Sequence, residues 1–350
     1  MPKQKPKFDP KNQHSQKKLD IFSRYLQLYL SILGEKCPSI RVYDMFAGKG
    51  KYGEHHGSAV RAVDIIKEYR TRSEHDVRLY LNEKKTKNYN SLCQNINLQT
   101  NKQWLTCTQK DANDIIPKYL SDCRDSYQLF FLDPFGYTQI SKETVDNICK
   151  HRHSECLWFI PVSNIRRFAF TAKPVKGLAR FLEEYGITYE GHRSKHITWE
   201  WPTILKDAFD RNYPEHYVAA ETLKAPHGIY ALYFITRHIH GLEKFMEVVD
   251  SVDEQRQSQL PLFNSIEGND ETRQFLSKER SNNEVYEWML KQGRASKSAL
   301  KILKDMEKRG KINVRSTDAT QQRRKGSFYL NYKSYRESPK IMIQSAHVGN

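Results

Sequence analysis

Gln128-Leu-Phe-Phe-Leu-Asp-Pro-Phe-Gly-Tyr137 is the stretch on which the fold turns. Its apolar run is short, nearly continuous and closed by Asp133-Pro134, which predicts a strand covered on both faces and therefore central in a mostly parallel sheet. Working outward, strands and helices alternate. Upstream, Arg41-Val-Tyr-Asp-Met-Phe-Ala47 closes on Gly48 and Gly50 and leads into a helical pattern from Ser58 to Arg70. Val77-Arg-Leu-Tyr-Leu-Asn-Glu83 precedes a helix from Lys84 to Leu98, and Trp104 to Asp111 precedes one from Ala112 to Ser121. Downstream, a helix from Thr144 to Lys150 is followed by a fifth strand, Cys156-Leu-Trp-Phe-Ile160. An amphipathic helix carrying Leu19, Phe22, Leu26, Leu30 and Leu33 on one face opens the series from Ser15 and ends near Gly34. This succession predicts a doubly wound α/β sheet with right-handed crossovers and helices on both faces. Tyr217 to Leu223 and Tyr230 to Thr236 are too close for a parallel crossover and predict an antiparallel hairpin.

In such a sheet ligands bind beyond the carboxyl ends of the strands, where the strand order reverses. The ends here are Asp44 to Gly50, Glu83, Asp111 and Asp133 to Gly136. Phe46-Ala47-Gly48-Lys49-Gly50 lets the main chain turn tightly and approach a ligand with no Cβ in the way, although it lacks the full GxGxxG spacing. Glu83, an acceptor-only carboxylate ending a strand, suits both hydroxyls of a ribose. Its distance from Gly50 exceeds the roughly 20 residues of the dinucleotide fingerprint, with the extra length around Lys51 to Gly57. Asp111 suits either an adenine amino group or the N-cap of the helix after it. Asp133-Pro134-Phe135 presents a carboxylate, a carbonyl and an aromatic face. A planar amine donating to Asp133 and the Pro134 carbonyl, stacked on Phe135 or Tyr137, would hold its lone pair toward an electrophilic methyl group, a reaction that mainly needs alignment. No GxxxxGK[ST], HExxH or GxSxG motif is present, and His55-His56 reads as an exposed loop rather than a metal pair.

The 350 residues carry 57 Lys and Arg against 41 Asp and Glu, a formal charge of +16, with 38% hydrophobic residues and 12% aromatic. That composition excludes wholesale disorder and points to a polyanionic partner, nucleic acid before membrane. No apolar run approaches the roughly 20 residues of a membrane span, no signal peptide is evident, and the six cysteines form no CxxC pair. A cytoplasmic chain without metal is expected. Residues 1–14 read as a basic flexible arm, 15–250 as the sheet domain with a basic and aromatic insertion at 164–201, and 251–280 as a linker. Residues 281–335 read as a helix, a turn at Gly293, a second helix, and a hairpin of Lys311 to Arg315 and Ser327 to Leu330, the pattern of a winged helix; 336–350 is a tail. Lys297, Lys301 and the basic tip Arg323, Arg324 and Lys325 are its candidate phosphate contacts.

Lys18-Leu-Asp-Ile-Phe-Ser-Arg-Tyr-Leu, Tyr43-Asp-Met-Phe-Ala-Gly48, Gly57-Ser58-Ala, Phe131-Leu-Asp-Pro-Phe-Gly136 and Tyr233-Phe-Ile-Thr-Arg237 followed by Gly241-Leu occur in an order that resembles the three-Cys-motif partner protein family. The resemblance spans roughly residues 15–250, and the winged-helix-like end is also typical. It implies a Rossmann-like fold similar to class I S-adenosylmethionine-dependent methyltransferases and a phage-associated partner protein bearing three cysteines. On that basis Asp44, Phe46, Ala47, Gly48, Gly50, Glu83 and Asp111 are expected to hold S-adenosylmethionine, and Asp133, Pro134, Phe135 and Tyr137 to hold the methyl acceptor. Compared with the Asp/Asn-Pro-Pro-Tyr/Phe signature of DNA amino-methyltransferases, Phe135 replaces the second proline and Gly136 the aromatic residue. A ring nitrogen, a modified base or lost activity therefore stands beside exocyclic-amine methylation. The rival readings are a non-catalytic nucleic-acid-binding scaffold and a nuclease or defence effector.

Overall fold

In a computed structural model of the chain, the described residues are 13–34, 37, 39–97, 103–123, 125–169, 176–187, 200–225, 228–254, 267–318, 320 and 323–346. The chain divides into two compact units, Met1–His238 and Ile239–Asn350. The first runs α1 (Gln13–Leu33), β1 (Ser39–Asp44), β2 (Lys51–Tyr52), β3 (His55–His56), α2 (Ser58–Arg70), β4 (Asp76–Asn82), α3 (Thr86–Asn95), β5 (Leu105–Thr108), α4 (Ala112–Asp122) and β6 (Tyr127–Leu132). After a 3₁₀ turn at Tyr137–Gln139 it continues with α5 (Lys142–Lys150), β7 (Ser154–Ile160), α6 (Val162–Ala169), α7 (Lys176–Glu184), α8 (Trp201–Asn212), β8 (Tyr217–Ala225) and β9 (Gly228–Thr236).

Seven strands form one sheet in the order β5-β4-β1-β6-β7-β9-β8. The pairs β5/β4, β4/β1, β1/β6 and β6/β7 are parallel, while β9 runs antiparallel to both β7 and β8. The chain builds outward from β1 through β4 to β5, then returns to β6 on the other flank of β1, so the order reverses between β1 and β6. The apolar runs predict this placement. β1 and β6 are buried from their second residue onward and β7 throughout, because helices cover both faces. On one face Tyr43, Phe130, Trp158 and Tyr233 pack with Phe181, Tyr185, Trp201 and Phe209 from α7 to α8. Within the stretch 164–201, the described part of α7 and the start of α8 are thus ordinary core helices. Residues 170–175 and 188–199 lie outside the described residues, as do residues 1–12 of the arm read at 1–14, whose last two residues instead open α1.

Helix α1 is fastened to the sheet by a buried polar contact. Tyr25 donates to Glu155 Oε2 at 2.5 Å and the Thr236 hydroxyl donates to Oε1 at 2.7 Å. Burial pushes the Glu155 carboxyl up to about 7, with the Tyr25 and Thr236 hydroxyls opposing. The folded state therefore binds this proton more tightly than the unfolded chain, so the contribution is complete below pH of about 4 and is lost as pH rises through about 7. In Glu155→Gln the fall in stability between pH 5 and 8 is expected to shrink by about 2 kcal/mol, measured by urea denaturation at several pH values. An unchanged slope would contradict the assignment.

The second unit runs α9 (Ile239–Glu254), α10 (Glu267–Phe275), β10 (Arg280–Ser281), α11 (Asn282–Lys291), α12 (Ser296–Lys308), β11 (Ile312–Ser316), α13 (Tyr332–Tyr335) and β12 (Ile341–Ser345). Its three strands form an antiparallel sheet in the order β10-β12-β11. Helix α11 starts with a capping box between Ser281 and Glu284. Val285, Met289 and Leu290 of α11 and Ala299, Leu303 and Met306 of α12 are among the buried residues. Two expectations are corrected here. Ser327 to Leu330 is not a strand: Tyr329 has φ 55°, a left-handed conformation that breaks an extended run. The strand paired with β11 is β12, in the stretch read as a tail, where Ile341 and Ile343 turn inward. The stretch 251–280 read as a linker contains the end of α9 and all of α10, and α9 belongs to the second unit rather than to the sheet domain.

Candidate functional site

The strand ends meet at the switch point. Asp44, the last residue of β1, stands opposite Leu81 of β4 and Phe131 of β6 in register, so Asp44, Glu83 and Asp133 leave the same edge. The fully buried side chain of Asn82 knits this edge together. Its Nδ2 donates to the carbonyls of Met45 at 3.2 Å and Lys110 at 3.1 Å, while its Oδ1 accepts from the Thr108 hydroxyl at 3.0 Å and the Lys110 amide at 3.1 Å. The Ala47 amide completes the seam on the Asn82 carbonyl at 3.0 Å. One amide side chain at the end of β4 thus satisfies main-chain groups beyond the ends of both neighbouring strands, β1 and β5.

The glycine turn follows. Gly48 and Gly50 have φ of 61° and 76°, which side chains resist. A Cβ on Gly48 would lie 2.4 Å from the Tyr52 hydroxyl oxygen. The extra residues after Gly50 are the small hairpin β2/β3, whose base is closed by the Gly57 amide donating to the Gly50 carbonyl at 2.7 Å. This hairpin carries the phenol of Tyr52 over the turn. Burial raises the Tyr52 phenol to about 12; the Lys49 main chain opposes, and Asp133, Glu83 and Asp44 add to the rise, so all three carboxylates act on this one phenol.

Asp44 is buried, with Oδ1 accepting from the Phe46 amide at 3.3 Å and Oδ2 lacking a hydrogen-bond partner among the described residues. Burial pushes its carboxyl up to about 7; the Ser58 hydroxyl, the Phe46 amide and Lys18 oppose, and Asp133 adds to the rise. Glu83, only 5% exposed, accepts from the Lys85 amide through Oε1 at 2.7 Å. Asp133 receives the ammonium of Lys18 on Oδ2 at 2.5 Å. Phe46 is half-buried, Ala47 is buried in the turn and Pro134 is buried.

The structure separates the remaining predicted residues. Asp111 takes the capping alternative: Oδ1 accepts from the Asn113 amide at 2.9 Å and Oδ2 from Lys84 at 2.6 Å, and these partners hold its carboxyl below the usual range against a desolvation effect in the other direction. Of the two aromatic candidates, Phe135 is 40% exposed while Tyr137 is 7% exposed and packs on Phe181 at 5.7 Å. Tyr137 is therefore a core residue and offers no stacking face. His55 and His56 form the exposed strand β3, with His56 Nδ1 3.4 Å from Asp64. In the second unit, Lys297, Lys301, Arg324 and Lys325 are exposed. Arg323 is not available for phosphates, because it pairs with Glu307, donates to the Ser327 carbonyl at 3.0 Å and lies over the Phe328 ring. Gln321 and Gln322 of the tip lie outside the described residues.

Reading the sequence alone passes over Lys18, Asn82 and Tyr52. Asn82 directly precedes Glu83, and Lys18 opens one of the motifs quoted above, so both stood beside signals that were read for other residues.

Among the described residues no helix is long and apolar enough to cross a membrane. No protein-family model matches the chain, and no curated protein matches it. Among solved structures the chain is similar to Trm1 from Pyrococcus horikoshii with S-adenosyl-L-methionine, at 16% identity and a TM-score of 0.40, over 67% of this chain and 59% of that one. It is similar to the O-methyltransferase TomG from Streptomyces achromogenes in complex with SAM, at 13% identity and a TM-score of 0.37, over 66% of this chain and 90% of that one. It is also similar to TYW2 from M. jannaschii in complex with AdoMet, at 14% identity and a TM-score of 0.33, over 66% of this chain and 77% of that one.

Proposed function

We propose that the protein is an S-adenosylmethionine-dependent methyltransferase acting on a nucleic-acid base or a nucleic-acid-associated substrate. The observation that carries this reading is that Asp44, Glu83 and Asp133 leave neighbouring strands at one edge of the sheet, beside a glycine turn at the switch point. The residues fit the cofactor. The buried, partnerless Oδ2 of Asp44 suits the ammonium of its methionine portion, and the Glu83 carboxylate suits the ribose hydroxyls. Gly48 and Gly50 hold the left-handed turn on which the main chain can approach a ligand, with the Tyr52 phenol close over Gly48. Bound there, S-adenosylmethionine supplies an electrophilic methyl group on a sulfonium sulfur. The chain's own part is alignment: Asp133 and the Pro134 carbonyl accept from the acceptor, Phe135 offers a stacking face, and Tyr52 shields the turn from water.

The second unit, with α11 and α12 ahead of an antiparallel sheet, supports a winged helix that grips nucleic acid through Lys297, Lys301, Arg324 and Lys325. The motif order supports membership of the three-Cys-motif partner family and action together with a three-cysteine protein.

Calorimetric titration of the full chain with S-adenosylmethionine tests the reading. A Kd of about 10 µM is expected, within the usual range for an enzyme and its small-molecule ligand. Absence of binding at millimolar cofactor would overturn the reading and favour a scaffold that keeps only the sheet.

A further inference from the structure

Lys18 is 6% exposed, a rare state for a lysine unless its charge is paired. Its ammonium sits 2.5 Å from Asp133 Oδ2 and 4.1 Å from the centroid of Phe159, near the end of β7. The pair is not needed to anchor the helix. Helix α1 is already held by Tyr25 on Glu155, by Lys17 on Glu221 at 2.6 Å and by Asp20 on Arg61 at 2.9 Å. Lys18 alone among these contacts points its charge at the acceptor side of the site, and Asp133 keeps 24% of its side chain exposed.

A carboxylate only accepts hydrogen bonds and an ammonium only donates them. With one N–H on Asp133 and another toward the Phe159 ring, Lys18 keeps a third to give, and Asp133 keeps its second oxygen. Side by side they form an acceptor next to a donor. An aliphatic amine offers donors only, and a carboxylate or phosphate offers acceptors only. A nucleobase edge offers a donor beside an acceptor on a flat ring, and Phe135, the one large hydrophobic side chain exposed among the described residues, lies two residues beyond Asp133. In a duplex that edge is occupied by the complementary base, so it becomes readable when the base is single-stranded or extruded.

We propose that Lys18 and Asp133 form one recognition pair that reads the unpaired Watson–Crick edge of a nucleobase acceptor. The proposal rests on the acceptor assignment of the preceding subsection and adds the donor half of the contact, from the N-terminal helix.

Saturation-transfer NMR on the full chain, with and without S-adenosylmethionine, tests it using adenosine, cytidine, guanosine and uridine 5′-monophosphates. At least one is expected to bind. Its affinity should fall about tenfold or more in Lys18→Met, and equally when the nucleotide carries a methyl group on its Watson–Crick edge, as expected for a lost bidentate contact. Lys18→Arg keeps the charge and the fold, but its fork occupies both Asp133 oxygens and should lose the nucleotide as well. The arginine variant decides the matter should the methionine variant not fold. Binding that ignores both variants and the edge methyl, or no nucleotide binding at all, overturns the proposal. Failure of the calorimetric titration would remove the cofactor reading while leaving the nucleotide result to decide this one.

Discussion

Replacing Asn82 with leucine is expected to cost about 3–5 kcal/mol of stability, the range for leaving several buried main-chain groups unsatisfied. Leucine keeps the branching at Cγ but is bulkier, so overpacking adds to a loss that is mainly one of hydrogen bonding. The Met45 and Lys110 carbonyls, the Lys110 amide and the Thr108 hydroxyl all lose their partner on this amide. Water has little access to compensate, because Asn82 is fully buried. Urea denaturation followed by circular dichroism measures the change. Asn82→Asp supplies a comparison that keeps the acceptor for Thr108 and Lys110 but turns an oxygen onto the Met45 and Lys110 carbonyls, and should cost at least as much as the leucine variant at neutral pH. A loss below about 1 kcal/mol in the leucine variant would show that the strand ends hold together without this side chain.

Glu83→Gln is expected to weaken S-adenosylmethionine binding by about thirtyfold to a hundredfold, or about 2–3 kcal/mol, without unfolding the protein. The glutamine carbonyl retains an acceptor for the Lys85 amide, the one hydrogen bond shown for Glu83, so the turn into α3 survives. Its amide group cannot accept from a ribose hydroxyl, and the charge that strengthens such a bond is gone. The measurement is the same calorimetric titration that tests the function, with thermal unfolding of both proteins as the control for folding. An unchanged affinity in a folded variant would remove Glu83 from the ligand site and leave the glycine turn and Asp44 as its only support.

How much of this was legible in the residues follows from what each signal depends on. The five parallel strands and their helices were readable because burial on both faces writes long apolar runs, as in Gln128 to Leu132, and helices write three- and four-residue spacing, as from Leu19 to Leu33. The hairpin β2/β3 wrote no such pattern, since its four strand residues are exposed or half-buried. The strand near the C-terminus was misplaced because Ser327-Phe-Tyr-Leu330 is as apolar as a strand, while the φ of Tyr329 depends on its tertiary surroundings. Convergence of Asp44, Glu83 and Asp133 followed from strand order alone. The capping role of Asp111 did not, because capping a helix and binding a ligand call for the same residue, and its bonds to the Asn113 amide and Lys84 appear only in three dimensions. Phe135 and Tyr137 were equivalent on paper; the turn between them sends one ring outward and the other into the core.

The stapled base of the hairpin between Gly50 and Gly57 has a bearing on how this region tolerates change. The chain leaves and re-enters at points joined by a 2.7 Å hydrogen bond, so the segment is a tab pinned at its base, with Tyr52 over the glycine turn and His56 beside Asp64 as further contacts. Length changes at its tip, around Gly53 and Glu54, are therefore decoupled from the β1-to-α2 crossover beneath it. Natural variation can lengthen, shorten or recolour the tab, and so retune what enters above the glycines, while the scaffold that carries it stays as it is.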